Sequence, residues 1–460
     1  MIDQRLAHDI LSAALSFGGD FAEIFVENRT DTTIGMIEGK VERSLSGKTG
    51  GIGIRIFNGF NSVYTYSNKL DRETLLNLAQ NASKSLKGVS QNLRIDFVME
   101  NPGIVHPVKV HPKNVEKIRK IELMKKAHEA ASSYSNLIHQ VKINYIDSCQ
   151  NVLIANSNGK FVQDQRVRTR FAVNSIASKD NKMEYGMISK GSGKGFELYD
   201  EISVEDIARE ASRVAVTMLG AKPAPSGKFP VVLDNKFGGV IFHEACGHGL
   251  EATSVAKGNS VYAGKLGEKI ASDIVSAVDD GTILNEWGSL SFDDEGNKPT
   301  RNVLIENGIL KNYMVDELNA RRMKMPATGS CRRESYKLPP TSRMTNTYIL
   351  NGKSSFEDMI SSIDYGVYAK YLGGGSVNTA TGEFNFAASE AYLVKDGKIQ
   401  DPIKGATLIG TGLEVLQKIE MVSNNFDSGE GMCGSVSGVI PAGLGQPALK
   451  VSEITVGGKE

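Results

Sequence analysis

The residues with the greatest chemical potential stand together in His243-Glu244-Ala245-Cys246-Gly247-His248. Two imidazoles in one short segment can hold a transition metal, and a carboxylate beside them can move a proton. In the pattern H-E-x-x-H the histidines are four residues apart, so ~100° per residue returns both to one face of a helix. Here they are five apart, about 140° around an ideal helix. A shared ion therefore requires the helix to absorb one extra residue as a π-bulge, and Gly247 is where that distortion costs least. A catalytic zinc takes three protein ligands and keeps one position for water, from which Glu244 would take a proton and pass it to the leaving amine. Two residues compete for the third ligand position. Glu251 follows His248 by three residues. Cys433 lies in Gly429-Glu430-Gly431-Met432-Cys433-Gly434, read as a glycine-flanked turn able to bring a thiolate close to another backbone. Cys433 is preferred, and Cys246 is too near the histidines along the chain to aim at the same ion.

The element that must present this motif is a helix over 235–251, preceded by a strand at 229–233 and by Asp234 as N-cap. Gly238, Gly239, Gly247 and Gly249 each cost ~1 kcal/mol in a helix relative to alanine, which points to close packing or substrate approach. Upstream, apolar residues at 6, 10, 11, 14 and 15 form a helical stripe. Further helices are expected at 70–86, at 115–135 and at 204–219, the last with Ser203 and Asp206 as its capping box. Strands are expected at 22–26 and 52–57. Asn58-Gly59, Asn158-Gly159, Asn307-Gly308 and Asp396-Gly397 mark hairpins, and another Asn-Gly stands at 351–352. The pattern predicts an α+β fold: a two-domain protein with mixed, largely antiparallel sheets and packed helices. The breaker-rich stretch 220–227 sets the boundary. Residues 1–224 form an N-terminal α+β domain, with a subdomain break near 100–112, and residues 225–460 carry the histidine helix and Cys433. Glycine is dense after residue 371, notably at Gly373-Gly374-Gly375, where tight loops and close backbone approach are expected.

Composition narrows the function classes. The chain has 460 residues, 40% hydrophobic and 23% charged, values of a globular protein. Lysine plus arginine number 53 and aspartate plus glutamate 53, so no net field draws a polyanion. Neither nucleic acid nor a membrane is an expected partner, since no apolar run reaches the ~18 residues of a span. Four cysteines without a C-x-x-C pair, and no secretory signal at the N-terminus, suit a cytoplasmic protein.

The sequence resembles the TldD branch of the TldD/PmbA peptidase family. The resemblance rests on HEACGHGLEAT at 243–253, on GMCG at 431–434 with PAGLGQPALKVSEITVGG after it, and on the intervening SFDDEGNKPTRNVLIENGIL and CRRESYKLPPTSRMTNTYIL. It implies zinc held by His243, His248 and Cys433, with Glu244 as general base. It further implies a metallopeptidase acting on unfolded or extended peptides, including leader segments of modified precursors. The partner it implies is a metal-free paralogue of TldE/PmbA type, or a second copy in a homodimer. An extended peptide would dock by adding a strand to a sheet edge.

Two rival readings remain on the same residues. A dipeptidyl-peptidase III-like exopeptidase would use a glutamate as third ligand, and a non-catalytic regulatory or binding subunit would use neither. The histidines at 8, 106, 111, 128 and 139 read as ordinary core or surface residues, as do Cys149 and Cys331. If the N-terminal half stays away from the site, Tyr336, Arg343 and Asn346 are the side-chain candidates for stabilising an oxyanion. Asp293-Asp294-Glu295-Gly296 reads as a solvated acidic turn, Arg332-Arg333 and Arg343 as surface pairs with a substrate backbone or carboxylate as the alternative contact, and Gly191-Ser192-Gly193-Lys194-Gly195 as a loop without phosphate-binding spacing.

Overall fold

The computed structural model describes residues 1–86, 95–100, 102 and 105–458. Residues 101, 103 and 104, within the expected subdomain break, lie outside it. The N-terminal half is built on long antiparallel strands, Phe21–Ile37, Lys40–Asn58, Ile138–Asn156 and Lys160–Lys179, flanked by Asn61–Ser67 and Lys182–Ser192. The Asn158-Gly159 hairpin joins Ile138–Asn156 to Lys160–Lys179, as its turn chemistry predicts.

Strand alternation explains what each face does. Along Phe21–Ile37, Ile24, Val26, Ile34 and Met36 point one way, against the helices. Gln4–Ala14 and Arg72–Lys84 cover one end of that face; Lys117–Ser132 and Val204–Leu219 cover the other. Ser203 caps the last helix by accepting the Asp206 N–H at 3.0 Å. The intervening residues Glu23, Phe25 and Glu27 point the other way, where Phe25 packs with Phe292 and Tyr336 of the C-terminal half. The sheet is thus buried on both faces at its first seven residues, and carboxylates sit where a solvated face would normally be.

Those carboxylates find arginines. Arg55 donates through Nη2 to Glu23 Oε2 at 2.9 Å and also pairs with Glu295. Arg333 reaches the other Glu23 oxygen at 2.9 Å, and Arg166 reaches Asp294 at 2.6 Å. The acidic turn 293–296 is therefore not solvated: Asp293, Asp294 and Glu295 are 0%, 1% and 2% exposed. Arg332 and Arg333 are likewise buried. The burial comes from sheet residues more than a hundred positions away, which local composition does not reveal.

Among the described residues the C-terminal half contains two large sheets and a two-stranded one, Cys331–Arg332 with Thr341–Ser342. One large sheet has six strands, with Asn346–Ile349 parallel to Gly438–Gln446 and Asp427–Ser435 at its edge. In the other, Tyr365–Val377 pairs with both Gly227–Leu233 and Glu383–Lys395, so that five strands close on themselves. The largest core cluster lies between these sheets and contains Val240, Ile241, Phe242 and Ala245 of the histidine-bearing helix. The fold is α+β with mixed, largely antiparallel sheets. No helix among the described residues is long and apolar enough to cross a membrane.

Candidate active site

The strand Gly227–Leu233 delivers the chain to the histidine segment. Asp234 does not cap a helix. Its carboxylate accepts the Asn235 N–H at 2.8 Å and the Tyr368 hydroxyl, and a 3-10 turn, Lys236–Gly239, leads into the α-helix Val240–Ala245. The expected single helix with a π-bulge is not formed. The helix stops at Cys246 (φ −124°, ψ −50°) and resumes as a 3-10 turn, Gly247–Leu250. This break achieves what a bulge would, turning His248 back toward His243, with ring centroids 5.2 Å apart and planes at 87°. The glycines explain how the segment fits. A Cβ on Gly239 would lie 2.7 Å from the Gly445 backbone, and one on Gly247 would lie 2.2 Å from Met344 Sδ.

Cys433 arrives from the edge strand. The segment 429–434, expected as a turn, lies inside the strand Asp427–Ser435, and the turn falls just beyond, at 436–437. The Cys433 sulfur is 3.2 Å from His243 Nε2 and 3.2 Å from His248 Nε2. All three donor atoms lie within 4.8 Å of one another, and all three residues are buried. For a tetrahedral zinc, with Zn–S about 2.3 Å and Zn–N about 2.0 Å, sulfur and nitrogen would stand ~3.6 Å apart. The two sulfur–nitrogen spacings fit such an ion after a shift of a few tenths of an ångström, and two imidazoles with one thiolate are a donor set that suits zinc.

The electrostatics agree with that use. Burial pushes the Cys433 thiol up, but the adjacent His243 and His248 outweigh it and bring it down to about 4. Burial disfavours charge on His248 as well, yet Glu251 and Cys433 hold it well above the usual histidine range. Cys246, buried away from both imidazoles, is pushed up to about 12. Burial also raises Cys149 and Cys331. A depressed thiol pKa means the charge is present above that value and lost below it. In the metal-free protein, ultraviolet thiolate absorbance should therefore report one charged thiol from about pH 5 to about pH 8 and fade on acidification toward the folded value. Cys433→Ala should lack that signal; an unchanged signal in the variant would contradict the assignment.

Glu244 stands beside the cluster, its Oε2 3.6 Å from His248 Nε2. It lines a cleft of about 210 Å³ together with His243, Cys433, Phe386 and Gly373–Gly375. The three glycines belong to the strand Tyr365–Val377, where Leu372 pairs with Ala388 and Gly375 with Phe386. Gly373 and Gly374 thus oppose one residue, a bulge beside the cleft.

Several expected residues serve elsewhere. Glu251 faces the far nitrogen of His248, with Oε1 3.3 Å from Nδ1, so it orients the ring and does not share the point where the Nε2 atoms converge. Arg343 is not an oxyanion donor. It is fully buried and donates to the Cys433 carbonyl at 2.6 Å, to Ser437 Oγ at 2.9 Å and to the Gly438 carbonyl at 3.0 Å. Its Nε lies 3.7 Å from Glu251, so one guanidinium ties the cysteine strand to the carboxylate behind His248. Sequence reasoning missed this positioning role, and no local pattern signals it. Asn346 is engaged with Asp280, Ser289 and Gly288, and Tyr336 packs against the N-terminal sheet. None of the five N-terminal histidines joins the cluster. The N-terminal half does brace the cysteine strand, through Ser189 Oγ on Glu430 at 2.6 Å.

Comparison with known proteins defines the class as metallopeptidase. The chain belongs to the PmbA/TldA metallopeptidase family: the models of its domain 1, central domain and C-terminal domain match residues 22–86, 110–219 and 226–458. Among similar proteins is a metalloprotease TldD homolog of Buchnera aphidicola, 40% identical over 89% of this chain and 86% of its own. Another, from Haemophilus influenzae, is 38% identical over 95% of this chain and 93% of its own. The crystal structure of TldE from Thermococcus kodakarensis shares the fold, with a TM-score of 0.77 at 20% identity, covering 98% of this chain and 99% of that one.

Proposed function

We propose that this metallopeptidase is zinc-dependent and hydrolyses unfolded or extended peptides in the cytoplasm, with His243, His248 and Cys433 as ligands and Glu244 as general base. The observation that carries the reading is the convergence of three metal-competent donor atoms within 4.8 Å, with a carboxylate 3.6 Å from His248 Nε2 at the edge of a cleft. Bound there, zinc supplies a Lewis acid toward water and the scissile carbonyl. Glu244 takes the proton of the attacking water and returns it to the leaving amine. Glu251 and Arg343 hold His248 and the cysteine strand in place, so that the ligands need not reorganise. Among the described residues no arginine or tyrosine side chain lines the cleft, which leaves backbone N–H groups as the candidate donors toward a developing oxyanion. The bulged glycine strand offers an edge along which a peptide can lie, which favours backbone recognition and broad specificity. The division at residue 224, and pairing with a metal-free paralogue or a second copy, belong to the same reading.

The glutamate-ligand rival is disfavoured by the direction Glu251 faces. The test of the base is Glu244→Gln. Cleavage of an unstructured peptide should fall about 10²–10⁴-fold while metal stoichiometry stays unchanged. Undiminished cleavage would remove Glu244 from the mechanism. No cleavage by the wild-type chain, with or without a paralogue, would favour a regulatory subunit.

A further inference from the structure

Behind the cysteine strand, between the two halves of the molecule, lies a second pocket of about 250 Å³ whose walls include Arg166, Arg168, Arg332 and Trp287. Met432, half exposed and one residue from Cys433, forms part of both this pocket and the metal cleft. The pocket has more guanidinium than carboxylate, and its carboxylates are already committed. Asp294 accepts from Arg166 at 2.6 Å and from the Arg333 N–H at 2.6 Å. Asp31 pairs with Arg29 at 3.0 Å, and Glu334 accepts the Val439 N–H at 2.8 Å.

Two arginines are left over. Arg332 is 3% exposed, and among the described residues its side chain makes one hydrogen bond, from Nη1 to the Met344 carbonyl at 2.8 Å. Among the described residues the side chain of Arg168, partly buried, donates only to the carbonyls of Trp287 at 2.9 Å and Ser289 at 3.3 Å. Among the described residues, neither has a carboxylate within ion-pair distance. Burial and the neighbouring guanidiniums push Arg332 down to about 9 and Arg168 down to about 10. A buried cation is ordinarily paired, because leaving it alone forfeits its hydration without return. Elsewhere in this interface the rule is kept, with Arg55, Arg166 and Arg333 all paired with carboxylates. A guanidinium with free donors facing a pocket matches a carboxylate through its planar fork.

Building on the peptidase reading, we propose that this pocket is a carboxylate-binding subsite, in which Arg168 and Arg332 hold an anionic group of the peptide that lies over the metal cleft. The group is either an acidic side chain or the peptide's C-terminal carboxylate. The shared wall at Met432 gives the chain a short path from one chamber to the other, and an extended residue advances only ~3.3 Å.

Trp287, the chain's single tryptophan, lines the pocket and reports its occupancy by fluorescence. Three peptides of one length are titrated into metal-loaded Glu244→Gln protein: a C-terminal amide with glutamine, the same peptide as free acid, and the amide with glutamate. At least one carboxylate-bearing peptide should bind about tenfold tighter than the neutral amide, and which one does so names the source. Arg168→Gln should abolish the preference and leave neutral-peptide affinity and metal content unchanged. Should that variant not fold, Arg168→Lys keeps the charge without the fork and should lose the preference at least in part. Equal affinities for the three peptides, or a preference that persists in both Arg168→Gln and Arg332→Gln, would overturn the proposal. Peptide cleavage by the Glu244→Gln protein, followed separately, would count against the general base and not against the pocket.

Discussion

Cys433→Ala is expected to abolish stoichiometric metal binding and, with it, peptidase activity. The variant removes the only sulfur donor, among the described residues, at the point where the two Nε2 atoms converge, each 3.2 Å away. Loss of an outer-shell partner typically costs about 10–100-fold in metal affinity, and loss of a ligand costs more. Glu251→Ala should therefore weaken metal binding by about 10–100-fold and still reach one ion per chain at saturating metal. The order of the two effects separates the cysteine-ligand reading from its glutamate rival, under which Glu251→Ala would be the more damaging. Metal analysis after gel filtration, repeated over a range of free zinc, measures the order directly. Cys433→Ala protein that keeps one tightly held ion would defeat the ligand assignment.

How much of this site can be read from the chain depends on how far apart its parts lie. His243, Glu244 and His248 are legible because they sit within six residues and their types carry the chemistry. The five-residue spacing also shows that an ideal helix cannot serve. It does not show how the helix fails: a π-bulge and an outright break after Ala245 satisfy the same spacing, and in the broken form Gly239 and Gly247 pack where a Cβ would meet Gly445 and Met344. Cys433 is legible through its glycine neighbours and the family resemblance, but glycines at 429, 431 and 434 suggest a turn where the sheet imposes a strand. The hairpins at 158–159, 307–308 and 396–397 are local events and follow their turn residues. Arg343 and the acidic stretch 293–296 are misread for one reason: their partners come from distant strands, and an isolated run of charge looks the same whether water or arginine will surround it.

Those distant partners set the second large effect. Arg55→Ala should destabilise the protein by about 3–5 kcal/mol, as expected when one partner of a buried ion pair is removed. Arg55 is 2% exposed, Glu23 1% and Glu295 2%, so neither carboxylate can recover its hydration without opening the interface between the two halves. Glu23 keeps its bond to Arg333, but among the described residues the Glu295 carboxylate is left with only the Glu317 N–H at 2.9 Å. Burial already raises the Glu295 carboxyl well above its usual range even with Arg55 beside it. A carboxyl with a raised folded pKa takes up its proton in the folded state first, so folding gains as pH falls through that value and loses as pH rises past it. Arg55 holds that value down, so its removal raises it further, and the deficit of Arg55→Ala should shrink as the pH falls toward the wild-type folded value, opposite in sign to ordinary acid destabilisation. The exposed pair Lys222–Asp401, at 69% and 64% side-chain exposure, provides the control, and Lys222→Ala should leave stability unchanged across the same pH range. Replacing Arg55 by methionine and Glu295 by leucine together should recover much of the loss, because apolar groups leave no charge stranded. Denaturant unfolding of these variants at two pH values distinguishes a stranded charge from a simple packing defect, since a packing defect alone would give the same deficit at both.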